Sequence, residues 1–220
     1  MKKNPAKAYP KPSQQTVNAF CNAAGIADRR AILEFLDKYG AAAINAKDET
    51  SQTALMLAAI GGCADTITLL LEKGADVNAR DKNGWTALMW VKRNHKNTVA
   101  RLLDGGADIN AQEEEGWTAL MLLPEFEETI ALLLEKGANI DIKNKEGDTA
   151  LEIAHGWQYP KSEALIRQWP EKQRQQEQLR KEQEFARERD AITKVALGGL
   201  KRPIPYKGTF KFPPPAAGGK

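Results

Sequence analysis

Cysteine and histidine are scarce: two of each in 220 residues. Cys21 and Cys63 share no metal-type spacing, and each lies among alanines and apolar residues, so both are expected as buried free thiols rather than as a disulfide framework. His95 and His155 fall in different parts of the chain, and neither has a serine or cysteine partner in an activating pattern. No CxxC, no HExxH and no cluster of His and Cys is present, which excludes the usual zinc sites. The phosphate-cradling patterns GxxxxGK[ST] and GxGxxG are missing too. Long apolar stretches are also lacking. Runs such as Leu69 to Leu71 fall far short of the roughly 18 residues of a spanning helix. The basic start MKKNPAKAYPKPSQQ has no apolar core of a secretory signal, and an intracellular, cytoplasmic protein is expected.

Acidic residues are absent from both ends. Residues 1–13 carry four lysines and no acid, and residues 191–220 carry six basic residues and no acid. Residues 14–170 hold 16 Lys and Arg against 23 Asp and Glu, a net −7, and residues 171–190 hold six of each sign. A chain that is 42% hydrophobic and 28% charged can otherwise build an ordinary globular core.

What the chain has in abundance is self-similarity. GWTALM is written twice, and the triplet TAL begins at Thr53, Thr86, Thr118 and Thr149, at intervals of 33, 32 and 31. A second landmark, Gly-Ala after a Leu-Leu pair, begins at Gly74, Gly106 and Gly137. From each Thr to the next Gly there are 21, 20 and 19 residues, whereas from each Gly to the next Thr there are always 12. The Thr-to-Gly element, TALMLAAI and ADTITLLLEK around Gly-Gly-Cys, predicts two short helices ended by the following Gly. The constant element, GADVNARDKNGW, predicts a loop or hairpin turning at DKNG. The shortening is then expected in the turn that joins the two helices.

Thr-Ala-Leu-Met, LLLEKGADVNA and the DxxGxT turn resemble ankyrin repeats over residues 14–170. The resemblance implies an all-α solenoid of stacked helix pairs with short β-hairpin loops, made of an N-terminal cap (14–47), repeats at 48–80, 81–112 and 113–143, and a C-terminal cap (144–170). Met56, Met89 and Met121 stand where the family usually has histidine, which is expected to cost its hydrogen bond. Pro124 is expected to truncate the first helix of the third repeat. A helix pair of about 20 residues cannot bury its apolar face alone, so neighbours must stack on a continuous core of Leu55, Leu88, Leu120 and Leu151 with Leu70, Leu102 and Leu133. The end units need polar outer faces, which Arg29, Arg30, Glu34 and Asp37 supply at one end and Lys161, Glu163 and Arg167 at the other.

With no candidate catalytic, cofactor-binding or metal-binding residue, the chain reads as a non-enzyme. DKNG at Asp81 resembles the start of a calcium loop, but Trp, Thr and Leu occupy the later ligand positions, and the turn reading is preferred. Glu125, Glu127 and Glu128 read as a solvated helix start. The resemblance implies instead a protein–protein interaction module, with hairpin tips and first helices facing a partner. Those positions are Glu49, Thr50 and Gln52, then Lys82, Asn83 and Trp85, then Glu114, Glu115 and Trp117, then Lys145, Glu146 and Asp148. Ile60, Arg93 and Phe126 come from the first helices. Trp85 and Trp117, equivalent in phase, are expected side by side, either as a binding hot spot or as packing between repeats. Trp90 reads as core or groove floor, and Trp157 and Trp169 as packing residues of the cap.

Residues 171–190 predict a polar, charged helix without the sustained apolar seam of a coiled coil. Residues 191–220, basic and rich in Pro and Gly, predict a disordered tail. Within it, KRPIPYKGTFKF with Tyr206, Phe210 and Phe212 is a candidate docking motif for the protein's own groove, another copy or a different protein. The alternative function is nucleic-acid or anionic-membrane binding through the basic ends, with nucleic acid disfavoured in the groove by the negative body. The expected role is that of a protein-binding scaffold whose partner the sequence leaves unnamed.

Overall fold

A computed structural model describes residues 9–92 and 95–198. They form two compact units, divided after Pro170. The first begins with α1 (Gln14–Gly25), capped by Ser13 Oγ accepting from Thr16 N, and α2 (Arg29–Tyr39), capped by Asp28 accepting from Ala31 N. A 3₁₀ turn, Ala41–Asn45, leads into the first full repeat. That repeat has α3 (Ala54–Gly61) and α4 (Ala64–Glu72). Among the described residues the second has α5 alone (Lys96–Asp104), the third has α6 (Ala119–Leu122) and α7 (Glu127–Glu135), and the C-terminal cap has α8 (Ala150–Gly156) followed by α9 (Pro160–Gly198).

The shortening of the repeats is therefore absorbed differently from expectation. Among the described residues the first helix is absent from the second repeat and cut to four residues in the third, while the turn after it is not shortened. In the second repeat Thr86 to Trp90 make a turn, with Met89 N and Trp90 N both donating to Thr86 O. Composition favours this: α3 is ALMLAAIG, rich in alanine, while in the second repeat ALM is followed by Trp90 and Val91, and aromatic and β-branched residues hold a helix less well. Thr86 is the cap of a helix that does not form, and its buried Oγ1 has no hydrogen-bond partner. In the third repeat α6 stops after four residues, just before Pro124, as the sequence predicts.

Methionine keeps more of the cap than expected. Thr53 N donates to Met56 Sδ at 3.4 Å in a capping box, and Thr86 N donates to Met89 Sδ at 3.5 Å without the return bond to Thr86 Oγ1, so the thioether is a weak acceptor at both positions. In the C-terminal cap a carboxylate does this better: Glu152 accepts from Thr149 N at 2.6 Å.

Among the described residues the 12-residue connections hold no strand, and the isolated bridge Lys47–Thr53 lies in the connection before the first full repeat. Each starts from a glycine in the left-handed region, at φ +90° (Gly74), +89° (Gly106) and +95° (Gly137), which lets the next N–H reach back to the helix just ended, as Ala75 N does to Leu70 O. An asparagine ladder then ties repeat to repeat. Asn45 Oδ1 accepts from Asp76 N, Asn78 Oδ1 from Asp108 N and Asn110 Oδ1 from Asn139 N, each at 2.8 Å.

Leu55, Leu88, Leu120, Leu70, Leu102 and Leu133 are buried in one core. Leu151, at the last step, is only partly buried, and Ala150, Ala154 and Ile166 belong to the core there. Cys21 is buried, but Cys63 is half-buried rather than buried, at the position just before α4, with its thiol donating to Gly25 O. The α1 and α3 backbones approach closely at Gly61, where a Cβ would lie 2.1 Å from Gly25 O.

The second unit begins within α9, which extends through Gly198, so residues 191–198, expected in a disordered tail, are its last turns. Residues 171–190 are exposed apart from half-buried Ala186, and are braced by pairs such as Arg180–Glu177 at 3.0 Å.

Candidate functional site: a groove between the second and third repeats

The site starts from one carboxylate. Asp81 Oδ1 accepts from Asn83 N at 2.8 Å and Trp85 N at 3.0 Å, and the loop closes with Asp81 N donating to Trp85 O at 3.0 Å. The third repeat builds the same turn from Glu113, whose Oε1 accepts from Glu115 N and Trp117 N at 2.9 Å. In the cap Asn144 Oδ1 accepts from Asp148 N at 2.8 Å. The turns are joined edge to edge, Glu114 N donating to Asn83 O at 3.3 Å and Lys145 N to Glu115 O at 2.9 Å.

Trp85 and Trp117 leave equivalent turns, both half-buried, but the indoles do not pair with each other as expected. Trp85 packs on Trp90, with ring centroids 4.8 Å apart and planes tilted by 42°. Trp90 is fixed from behind, its Nε1–H donating to Asp81 Oδ2 at 2.9 Å, so one carboxylate holds both the turn and the ring beneath it. Trp117 instead stacks at 5.7 Å on Trp157, which is 52% exposed. The phase of the repeat gives each tryptophan its turn, but the partner ring comes from a position outside the repeated pattern. Trp169 is buried, as expected of a packing residue.

Where the first helices are missing or cut short, a groove of about 360 Å³ opens. Trp85 and Phe126 wall it, Met89, Val91, Leu122 and Leu123 supply apolar lining, and Lys92 and Glu125 complete it. Of these, the sequence singled out Trp85 and Phe126 as contact positions. The sequence names Met89 and Glu125 in other roles and gives no contact role to Val91, Lys92, Leu122 or Leu123, although the falling Thr-to-Gly spacing carries the signal. Glu125, read as part of a solvated helix start, lines the groove, whereas Glu127 and Glu128 do sit in the first turn of α7.

Of the remaining predicted contact positions, Lys82, Asn83, Glu114, Glu115 and Glu146 are exposed at the turn tips, and Asp148 is half-buried. Glu49, Thr50 and Lys145 are exposed, and Gln52 and Ile60 half-buried. Lys145 Nζ lies 3.2 Å from Glu115, bridging two tips. Arg93 and the tail residues Tyr206, Phe210 and Phe212 lie outside the described residues, as do most of the basic ends.

The reactive side chains among the described residues stand apart. Burial, first of all, pushes the Cys21 thiol up to about 12, far from a reactive thiolate. His155 Nδ1 sits 3.1 Å from Glu163, whose carboxyl is held below its usual range by that bond and by Arg167. No serine or cysteine is paired with either group in the hydrogen bonds of the described residues. Among those residues no group of His, Cys, Asp and Glu is arranged to hold a metal ion, and no helix is long and apolar enough to cross a membrane.

The family described as Ankyrin repeats (3 copies) matches residues 20–113 and 90–168. The chain belongs to the ankyrin-repeat family. Ankyrin repeats generally mediate protein–protein interaction and are typically non-catalytic. M-phase phosphoprotein 8 of Rattus norvegicus and of Mus musculus are each similar to 46 residues of the chain at 52% identity, and that of Homo sapiens at 50%. The shared stretch covers 21% of this chain and 5% of those proteins, so the ankyrin chain spans a small fraction of their length.

Proposed function

We propose that the chain is a non-catalytic scaffold module that holds a protein partner in the groove between its second and third ankyrin repeats and along the adjoining turn tips. The observation that carries this reading is the groove itself: about 360 Å³ with aromatic walls and an apolar lining beside Lys92 and Glu125, where among the described residues the second repeat has no first helix and α6 has four residues. Half-buried aromatics beside exposed charge have the composition of interaction hot spots. Trp85, Phe126 and Trp117 are the anchors, and Lys82, Asn83, Glu114, Glu115, Glu146 and Asp148 form the rim. Arg93 is assigned to the same face by its place in the repeat.

The test is affinity capture from a cell lysate at two salt concentrations, with wild type beside a Phe126→Glu, Trp117→Ala double variant whose helicity matches by circular dichroism. Proteins retained by wild type at the higher salt and lost by the variant are the expected result. Undiminished capture by the variant would overturn the assignment, and recovery of nucleic acid alone, vanishing at higher salt, would move the function to the basic ends.

A further inference from the structure

We infer that the C-terminal end of α9, together with the basic run that follows it, docks on anionic membrane surfaces, with an apolar helix face in the lipid interface and cations among the headgroups. Phe185 and Ile192 belong to the second unit and the groove to the first, so this contact is separate from the groove.

The helix supplies the apolar part. Residues 191–198 continue α9, which puts Phe185 and Ile192 seven residues, about two turns, apart on one face. They are 71% and 70% exposed. Four exposed charges stand beside them on the helix, Lys181, Glu182, Glu188 and Arg189, two of each sign, so the face itself is neutral. After Asp190 the balance changes. Residues 191–220 carry six Lys and Arg and no acid, and Leu200, Ile204, Tyr206, Phe210 and Phe212 are interleaved with those cations in the sequence. The net −7 of residues 14–170 is separated from that run by the neutral stretch 171–190.

Positive charge alone would suit any polyanion. A nucleic-acid backbone offers nothing to an exposed isoleucine, whereas the boundary between headgroups and acyl chains takes aliphatic and aromatic side chains and lysines together. Each Lys or Arg near an anionic leaflet adds about fivefold to partition, and a short apolar face by itself binds only marginally, so the two act jointly. Two turns of helix make a surface contact rather than a span.

The test is flotation of the full chain with vesicles of phosphatidylcholine alone or with about 30% phosphatidylserine, at low and physiological salt. Wild type is expected to float with the anionic vesicles at least about tenfold better than with the neutral ones, and less well as salt rises. A Phe185→Ser, Ile192→Ser variant keeps every charge, changes only exposed positions, and is checked for matched helicity by circular dichroism. It should lose about tenfold in partition, and a Lys201→Gln, Arg202→Gln variant about as much. Equal binding to neutral vesicles, or binding to neither, would overturn the inference. Anionic binding left intact by the serine pair would overturn the role of the helix face. A random-sequence DNA duplex that strips wild type from the vesicles, and is held as tightly by the serine variant, would give the basic run to nucleic acid instead.

Discussion

Asp81→Asn tests the architecture of the site with one exchanged atom. Oδ1 is retained, so the bonds from Asn83 N and Trp85 N survive, but Oδ2 becomes an amide donor 2.9 Å from the Trp90 indole N–H. Two donors then face each other. A hydrogen bond to a charged acceptor contributes about 1.5–3 kcal/mol, and the two surviving bonds lose their charge assistance. Trp90 is half-buried, so part of the loss is recovered from water. The net destabilisation should be about 2–3 kcal/mol, read as a lower urea midpoint at unchanged slope. For a body of this size that is a fall in Tm of roughly 4–10 °C. Trp90→Phe removes the same bond from the other side and should cost about 1–2 kcal/mol. Because both variants delete one shared interaction, the double variant should be less destabilised than the sum, by about 1 kcal/mol. Additivity within about 0.5 kcal/mol would show that the carboxylate does not hold the ring, and the account of the Trp85–Trp90 pair would fail.

Gly61→Ala places a methyl 2.1 Å from Gly25 O, where backbone must move, and should destabilise by at least about 2 kcal/mol in urea unfolding. Gly74→Ala, with open space but φ +90°, should cost only about 1 kcal/mol in the same assay. Bonds from Thr149 N and Oγ1 hold the Glu152 carboxyl below its usual range, so its contribution is complete above the ordinary value of about 4.3 and is lost as pH falls through the lower folded value. Glu152→Gln should flatten the acid side of a Tm-against-pH curve in that window, and parallel curves would contradict the capping box. With 5,5′-dithiobis(2-nitrobenzoate) at pH 8, Cys63 should react in the folded protein and Cys21 only after unfolding, since burial raises the Cys21 thiol to about 12. Two fast thiols would refute that burial.

The sequence by itself determined the repeat and its landmarks. Thr-Ala-Leu and Leu-Leu…Gly recur because each position repeats the same local requirement: a cap, a buried face, a left-handed stop. Such requirements are met within a few residues of the position concerned, and spacing reads them directly. They gave the core leucines, the turn tips carrying Trp85 and Trp117, and the truncation at Pro124. Tertiary structure decided the rest, because it depends on what is not repeated. Whether ALMW winds as ALML does was settled by the residues after it, and Leu151 is half-exposed because the stack changes at its last step. Trp85 lies on Trp90 and Trp117 on Trp157 because each indole packs on the aromatic within reach, and those two occupy unlike positions in the chain. The groove is likewise a property of missing helix, visible in sequence only as a spacing that falls from 21 to 19 and made into a surface by the neighbours that do not close over it.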